Sequence, residues 1–415
     1  MLATTKVTGL RLQPEHHWLT WLCRRAEERS DRSWIEALNE ARCRSRLLDL
    51  AARHRVLGLA LDTLDGSGAM NRLEAPVAQE LRKLLQHFRR QTALLEIRRD
   101  QALAALAQAA VPCLVLKGAA LSATVYRDAV QRHMEDLDLL VELRLWRRAV
   151  RALKAGGYAG PQSCAELRAY RSRHFHLPLE HPAFHCVEIH WALQRPGSVF
   201  RLDAQQVISE PIRRERPGAP VLCHPRPEYM LLHIVLQNIQ ESFTRLSRLV
   251  DVDRLIVATP ELDWHLVSEQ ALRGNLGPAT MLSLQMSHNL LGTPLREDLA
   301  RQFLPSPIVR FHLSLLEPTR LLLTQRFSAS YSGMHLLEAW LCPDARTRLR
   351  LLSRRPAAGN PQIVQKNSPW GQRLFQLGKL GLLQLLVLVV AATRMASRSG
   401  RSRLRFWSVH GPRQP

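Results

Sequence analysis

Asp136-Leu137-Asp138-Leu139-Leu140-Val141 is the stretch from which the rest of the chain is read. On an extended strand, side chains two residues apart share a face, so Asp136 and Asp138 project together while Leu137 and Leu139 enter the core. Two adjacent carboxylates repel. Joint coordination of a divalent cation removes that cost, and so does a pair sharing one proton. A second alternating stretch, Val187-Glu188-Ile189-His190-Trp191, puts Glu188 and His190 on one face in the same way. If the two strands are neighbours, Glu188 completes a three-carboxylate cluster. Its hard oxygen donors suit Mg²⁺ (or Mn²⁺) with substrate phosphates filling the remaining positions.

Upstream, Val111-Pro112-Cys113-Leu114-Val115-Leu116 is a short apolar run ended by Lys117-Gly118, which reads as a buried strand passing into a helix to Tyr126. A glycine there lets backbone N–H groups and the helix N-terminus approach a phosphate, and Lys117 adds positive charge. Arg132 is either a phosphate contact or a structural partner for one of the acids. Leu145 to Ala155 is helical and stops at Gly156-Gly157, and strand candidates follow at His174–Leu179 and Cys186–Trp191.

Around this unit the apolar period is helical, from about His17 to Ala110 and again from Pro227 to Leu291. The expected fold class is α+β and mostly helical. A helical N-terminal region (1–110) precedes an α/β core with a mixed β-sheet (111–195), and a second helical region (196–350) follows it. Residues 351–415 are expected to form a Pro-rich linker, an apolar helix and a basic tail.

Length and composition exclude a small disulfide scaffold or a disordered tail, since 415 residues at 46% hydrophobic content build an ordinary core. Seven cysteines, none spaced CxxC, point to a reducing cytosol. The charge is +22, but only six of the 58 basic residues are lysine, an arginine bias that a GC-rich genome supplies without any function. Position is more telling. No Asp or Glu follows Asp344, so the last 71 residues hold 14 positive charges beside the uncharged run 380–393. That run, or 374–393 with Lys379 included, reads as a core helix, an interfacial helix or a span. The expected location is cytoplasmic, with a peripheral contact of 374–407 at the inner face of the cytoplasmic membrane.

Leu116-Lys117-Gly118-Ala119-Ala120-Leu121, Tyr126, Arg132, the 136–141 strand, Gly157-Tyr158 and Val187–Trp191 together resemble the bacterial uncharacterised nucleotidyltransferase family, part of the DNA-polymerase-beta-like superfamily. The resemblance extends into Leu231-Leu232-His233, Arg248–Val252 and Leu262-Asp263-Trp264. It implies a nucleotidyltransferase-type mixed sheet flanked by helices. By the same resemblance Asp136, Asp138 and Glu188 are the metal-binding and catalytic carboxylates, and Lys117, Gly118 and Arg132 hold the triphosphate of an NTP. Many superfamily members carry Ser after the turn glycine, where this chain has Ala119, so the resemblance implies that Lys117, Arg132 or backbone amides take the place of that hydroxyl. His176, His190, His233 and Asp251 are candidates for groups supporting the site, with packing or a structural hydrogen bond as the alternative at each.

The expected activity is Mg-dependent transfer of NMP from an NTP to an acceptor, which is RNA, protein or a small molecule or saccharide. The alternatives are a non-catalytic accessory or membrane-associated scaffold with the same fold, and an RNA-binding protein.

Overall fold

The computed structural model describes residues 14–29, 33–161, 163–182, 184–296, 298–303 and, after those, 337–342, 344, 347–348 and 351. The chain divides into two compact units, Met1–Leu352 and Ser353–Pro415. The apolar run 374–393 and the basic tail lie outside the described residues. Among the described residues, no helix is long and apolar enough to cross a membrane.

The first unit is mostly helical around a small mixed sheet. Its N-terminal part holds α1 (Pro14–Cys23), α2 (Ala41–Arg53), α3 (Leu57–Gly66) and the long α4 (Ala75–Gln108). The sheet region follows as β1 (Cys113–Val115), α5 (Lys117–Thr124), β2 (Asp136–Val141), α6 (Trp146–Ala155), α7 (Cys164–Arg173), β3 (His176–His181) and β4 (Phe184–His190). After α8 (Ala204–Ser209) come β5 (Ile212–Arg216) and β6 (Ala219–His224), then α9 (Pro227–Gln240), α10 (Leu246–Ala258), α11 (Trp264–Arg273), α12 (Gly277–Leu291) and α13 (Leu299–Phe303).

The four-stranded sheet runs β1-β2-β4-β3, with β2 and β4 parallel and the outer pairs antiparallel. Strand β2 sits between two neighbours because its apolar side chains are buried without exception: Leu137, Leu139, Leu140 and Val141 are at most 6% exposed. Helix α6 buries Trp146, Ala149, Val150 and Leu153, one stripe at helical spacing, and its Trp146 ring lies 5.1 Å from that of Trp191 just after β4. Helices α9 and α10 are buried along most of their length.

Two elements depart from the expected order. Helix α7 shows no apolar stripe, since most of its described side chains are exposed, and its local signal is the capping box of Ser163 and Glu166. The β5–β6 hairpin stands in a region expected to be helical. Its Ile212-Arg213-Arg214-Glu215-Arg216 strand is exposed on both faces and so carries no period-two pattern, and the turn is marked by Gly218 at φ +69°.

The N-terminal helices join the C-terminal ones through His54. Its Nδ1 accepts from the Leu246 amide at 3.3 Å and its carbonyl from the Ser247 amide at 3.2 Å, so it caps the start of α10. Burial, reinforced by the charges of His16, Arg245 and Arg53, pushes this imidazole down from 6.5 to about 4. The folded ring therefore binds fewer protons than the unfolded one, and the stability it contributes above pH 6.5 is lost as pH falls toward 4. Its share is on the order of 3 kcal/mol. Denaturation of the wild type followed between pH 7 and 4.5 is expected to show a steeper loss than His54→Gln, and equal slopes would contradict the assignment.

Candidate active site

Parallel pairing of β2 and β4 places Asp138 opposite Glu188, Leu140 opposite His190 and Asp136 opposite Cys186. The strand alternation then brings one carboxylate oxygen each from Asp136, Asp138 and Glu188 within 4.8 Å of one another. These are the three acids that the sequence pattern pairs. What each contributes differs because their surroundings differ.

Asp138 is buried, at 2% exposure, and its Oδ1 accepts from Lys117 Nζ at 2.5 Å and from His190 Nε2 at 2.7 Å. Burial works against its charge, but the Lys117 ammonium and the His190 hydrogen bond outweigh it and hold the carboxyl well below the usual range. Asp136 forms none of these bonds. Burial first, and then the charge of Asp138, push it up to about 6. The repulsion within the cluster thus falls mainly on Asp136. The Glu188 side chain is 20% exposed.

Lys117 reaches this cluster from the start of α5. Its Nζ also lies 3.9 Å from Glu188 Oε2. The residue takes φ +51°, the left-handed region that side chains rarely occupy, and the turn keeps it there with the ion pair to Asp138 as its return. Gly118 has a different reason for being glycine. A Cβ added there meets Met134 Cγ at 3.1 Å and Arg132 Nη1 at 3.3 Å, so the missing side chain makes room for what packs against the turn. Gly118→Val is expected to cost about 1–3 kcal/mol by overpacking, read as a lower denaturation midpoint. No change in midpoint would show the turn to be looser than drawn.

Arg132 is buried at 4% exposure beside that turn. Its Nε donates to Asp251 Oδ1 at 2.7 Å, the same oxygen to which Tyr126 donates at 2.7 Å, and its Nη1 donates to the His133 carbonyl. Of the two roles open to it in the sequence, phosphate contact or structural partner, the observed bonds are structural, and the partner is Asp251 of α10 rather than an acid of β2. Arg248, one turn before Asp251, contributes at 3.9 Å and is bonded to Glu241.

His190 donates to Asp138 and lies 3.3 Å from Glu188 Oε2. His176 on β3 faces it directly across the antiparallel pair, the rings 5.0 Å apart and stacked, and its Nε2 is 3.7 Å from Glu188 Oε1. His233, on α9, is 3% exposed; burial and then the charge of Lys117 push its imidazole well below its ordinary range, so it stays neutral. The structure therefore brings Lys117, Asp136, Asp138, Glu188, His176 and His190 into one cluster, with His233 close enough to feel Lys117. Asp251 and Arg132 form a separate buried pair that reaches the cluster through Gly118.

Tyr126 and Arg248 were not singled out as site residues in the sequence. Tyr126 is part of the family resemblance, but a phenol that donates to an acid 125 residues away leaves no local pattern to mark that bond.

Three carboxylates whose oxygens converge within 4.8 Å could hold a metal ion, and Lys117 stands beside them at a strand-to-helix turn. A family model described as uncharacterised nucleotidyltransferase matches residues 41–292, more than half of the chain. No curated protein matches it.

Proposed function

The chain belongs to the uncharacterised nucleotidyltransferase family, and on that premise we propose that it transfers a nucleoside monophosphate from an NTP to an acceptor, releasing pyrophosphate. The observation that carries the reading is the convergence of Asp136, Asp138 and Glu188 within 4.8 Å, beside Lys117 and the first turn of α5. The donor set fits Mg²⁺ or Mn²⁺: all oxygen, partly open at Glu188, and short of positive charge at Asp136. A bound cation would supply charge stabilisation for the oxygens of the transferring phosphoryl group.

Each residue has a part in that transfer. Asp138 is the fixed anchor, held ionised and oriented by Lys117 and His190. The amides that open α5 provide the helix N-terminus for the β and γ phosphates, and Lys117 adds its ammonium. With a buried Ala119 after the glycine, no hydroxyl is available at that position, so these amides and Lys117 carry the contact. Arg132 acts by holding the turn in place. Asp136 and Glu188 have capacity left to accept the acceptor's proton. The acceptor, whether RNA, protein, small molecule or saccharide, is not selected by these residues.

Incubation of the purified protein with Mn²⁺ or Mg²⁺, cell extract and each α-labelled NTP tests the proposal. Label on an acceptor with release of pyrophosphate supports it. No transfer with any NTP would leave the non-catalytic scaffold as the better reading.

A further inference from the structure

His190 orients Asp138, but neither it nor His176 is an oxygen donor, and the arrangement of the two imidazoles has a chemistry of its own. His176 and His190 are directly opposed across β3 and β4, stacked at 5.0 Å. One ligand atom from each, together with a Glu188 oxygen, lies within 4.8 Å of the others. His190 is 1% exposed, and the Nδ1 atoms of both rings are buried with no hydrogen-bond partner among the described residues. The ring nitrogens that face Glu188 are Nε2 of His176 at 3.7 Å and Nε2 of His190 at 3.3 Å, so a cation there would take the place of the proton that His190 shares with Asp138.

We propose that His176, Glu188 and His190 form a second cation site, joined to the carboxylate site through Glu188 and selective for a borderline transition metal such as Zn²⁺, Co²⁺ or Ni²⁺. Two imidazoles and one carboxylate are the donors such ions prefer, whereas Mg²⁺ favours oxygen alone. The site has three protein ligands and an open side, because Glu188 and His176 are 20% and 22% exposed at the side chain while His190 is enclosed. Its existence does not depend on nucleotide transfer.

The test is Co²⁺ titration of the purified, metal-stripped full chain, followed by the visible absorption of the ion, in the presence of millimolar Mg²⁺. The wild type is expected to bind one Co²⁺ with nitrogen-ligand absorption that Mg²⁺ does not displace. His176→Gln, on a side chain 22% exposed and with its fold checked by circular dichroism, is expected to weaken that binding more than about 100-fold. Asp136→Asn, outside the histidine site, is expected to retain it. Absorption that Mg²⁺ abolishes, or that is unchanged in His176→Gln, overturns the proposal. Loss of Co²⁺ binding in Asp136→Asn with His176→Gln unaffected does the same, by assigning the ion to the carboxylates. Failure of NTP transfer alone leaves this result untouched and bears only on the preceding reading.

Discussion

Asp136→Asn and Asp138→Asn are each expected to abolish metal-dependent nucleotide transfer, by about 10³-fold or more, while moving stability in opposite directions. Asp136 is pushed up to about 6 by burial and by Asp138. A carboxyl raised in the fold gives stability that is fully present below its ordinary value of 3.8 and lost as pH rises through about 6. At neutral pH the ionised Asp136 is therefore a liability, and an uncharged isostere is expected to stabilise the fold by roughly 1–3 kcal/mol. Asp138 is the reverse case. It accepts from Lys117 and His190 in a buried setting, so Asn there leaves an ammonium short of its partner and costs about 1–3 kcal/mol. Chemical denaturation at pH 7.5 checks both. Equal destabilisation by the two substitutions would contradict the division of roles, and surviving transfer in either would contradict the site.

The second large effect is structural. Arg132→Met is expected to lose about 3–5 kcal/mol, because it takes the bonded guanidinium from the fully buried Asp251 and leaves it with the neutral Tyr126 hydroxyl and with Arg248 at 3.9 Å. Arg132 also braces the residues before β2 by donating to the His133 carbonyl, so weaker NTP binding is expected to accompany the loss. The double change Arg132→Met with Asp251→Leu removes both charges and is expected to regain part of the stability, as measured in a double-mutant cycle. A single variant within about 0.5 kcal/mol of wild type would show the pair to be dispensable.

The carboxylate cluster was legible in the sequence because strand alternation is a local rule. Asp136 and Asp138 share a face whatever surrounds them, and Glu188 needed only that β4 lie beside β2, which it does. The same rule placed His190 beside Glu188 and left its bond to Asp138 open. What the sequence could not show was pairing over long separations. Arg132 meets Asp251 from 119 residues away, and Lys117 meets Asp138 only because the turn holds it at a left-handed φ. The glycine beside it was expected to admit a phosphate; the structure gives it the additional reason that Met134 and Arg132 occupy the space of a side chain. The β5–β6 hairpin escaped because a strand exposed on both faces has no alternation to read.

Family membership points to nucleotide transfer, and the phosphorus atom that moves decides it. With an NTP labelled separately at the α and γ phosphates, extract and Mg²⁺, the wild type is expected to place the α label on an acceptor and to release the γ label as pyrophosphate, and Asp138→Asn to do neither. Transfer of the γ label to an acceptor, or α-label transfer that persists in Asp138→Asn, would contradict the account.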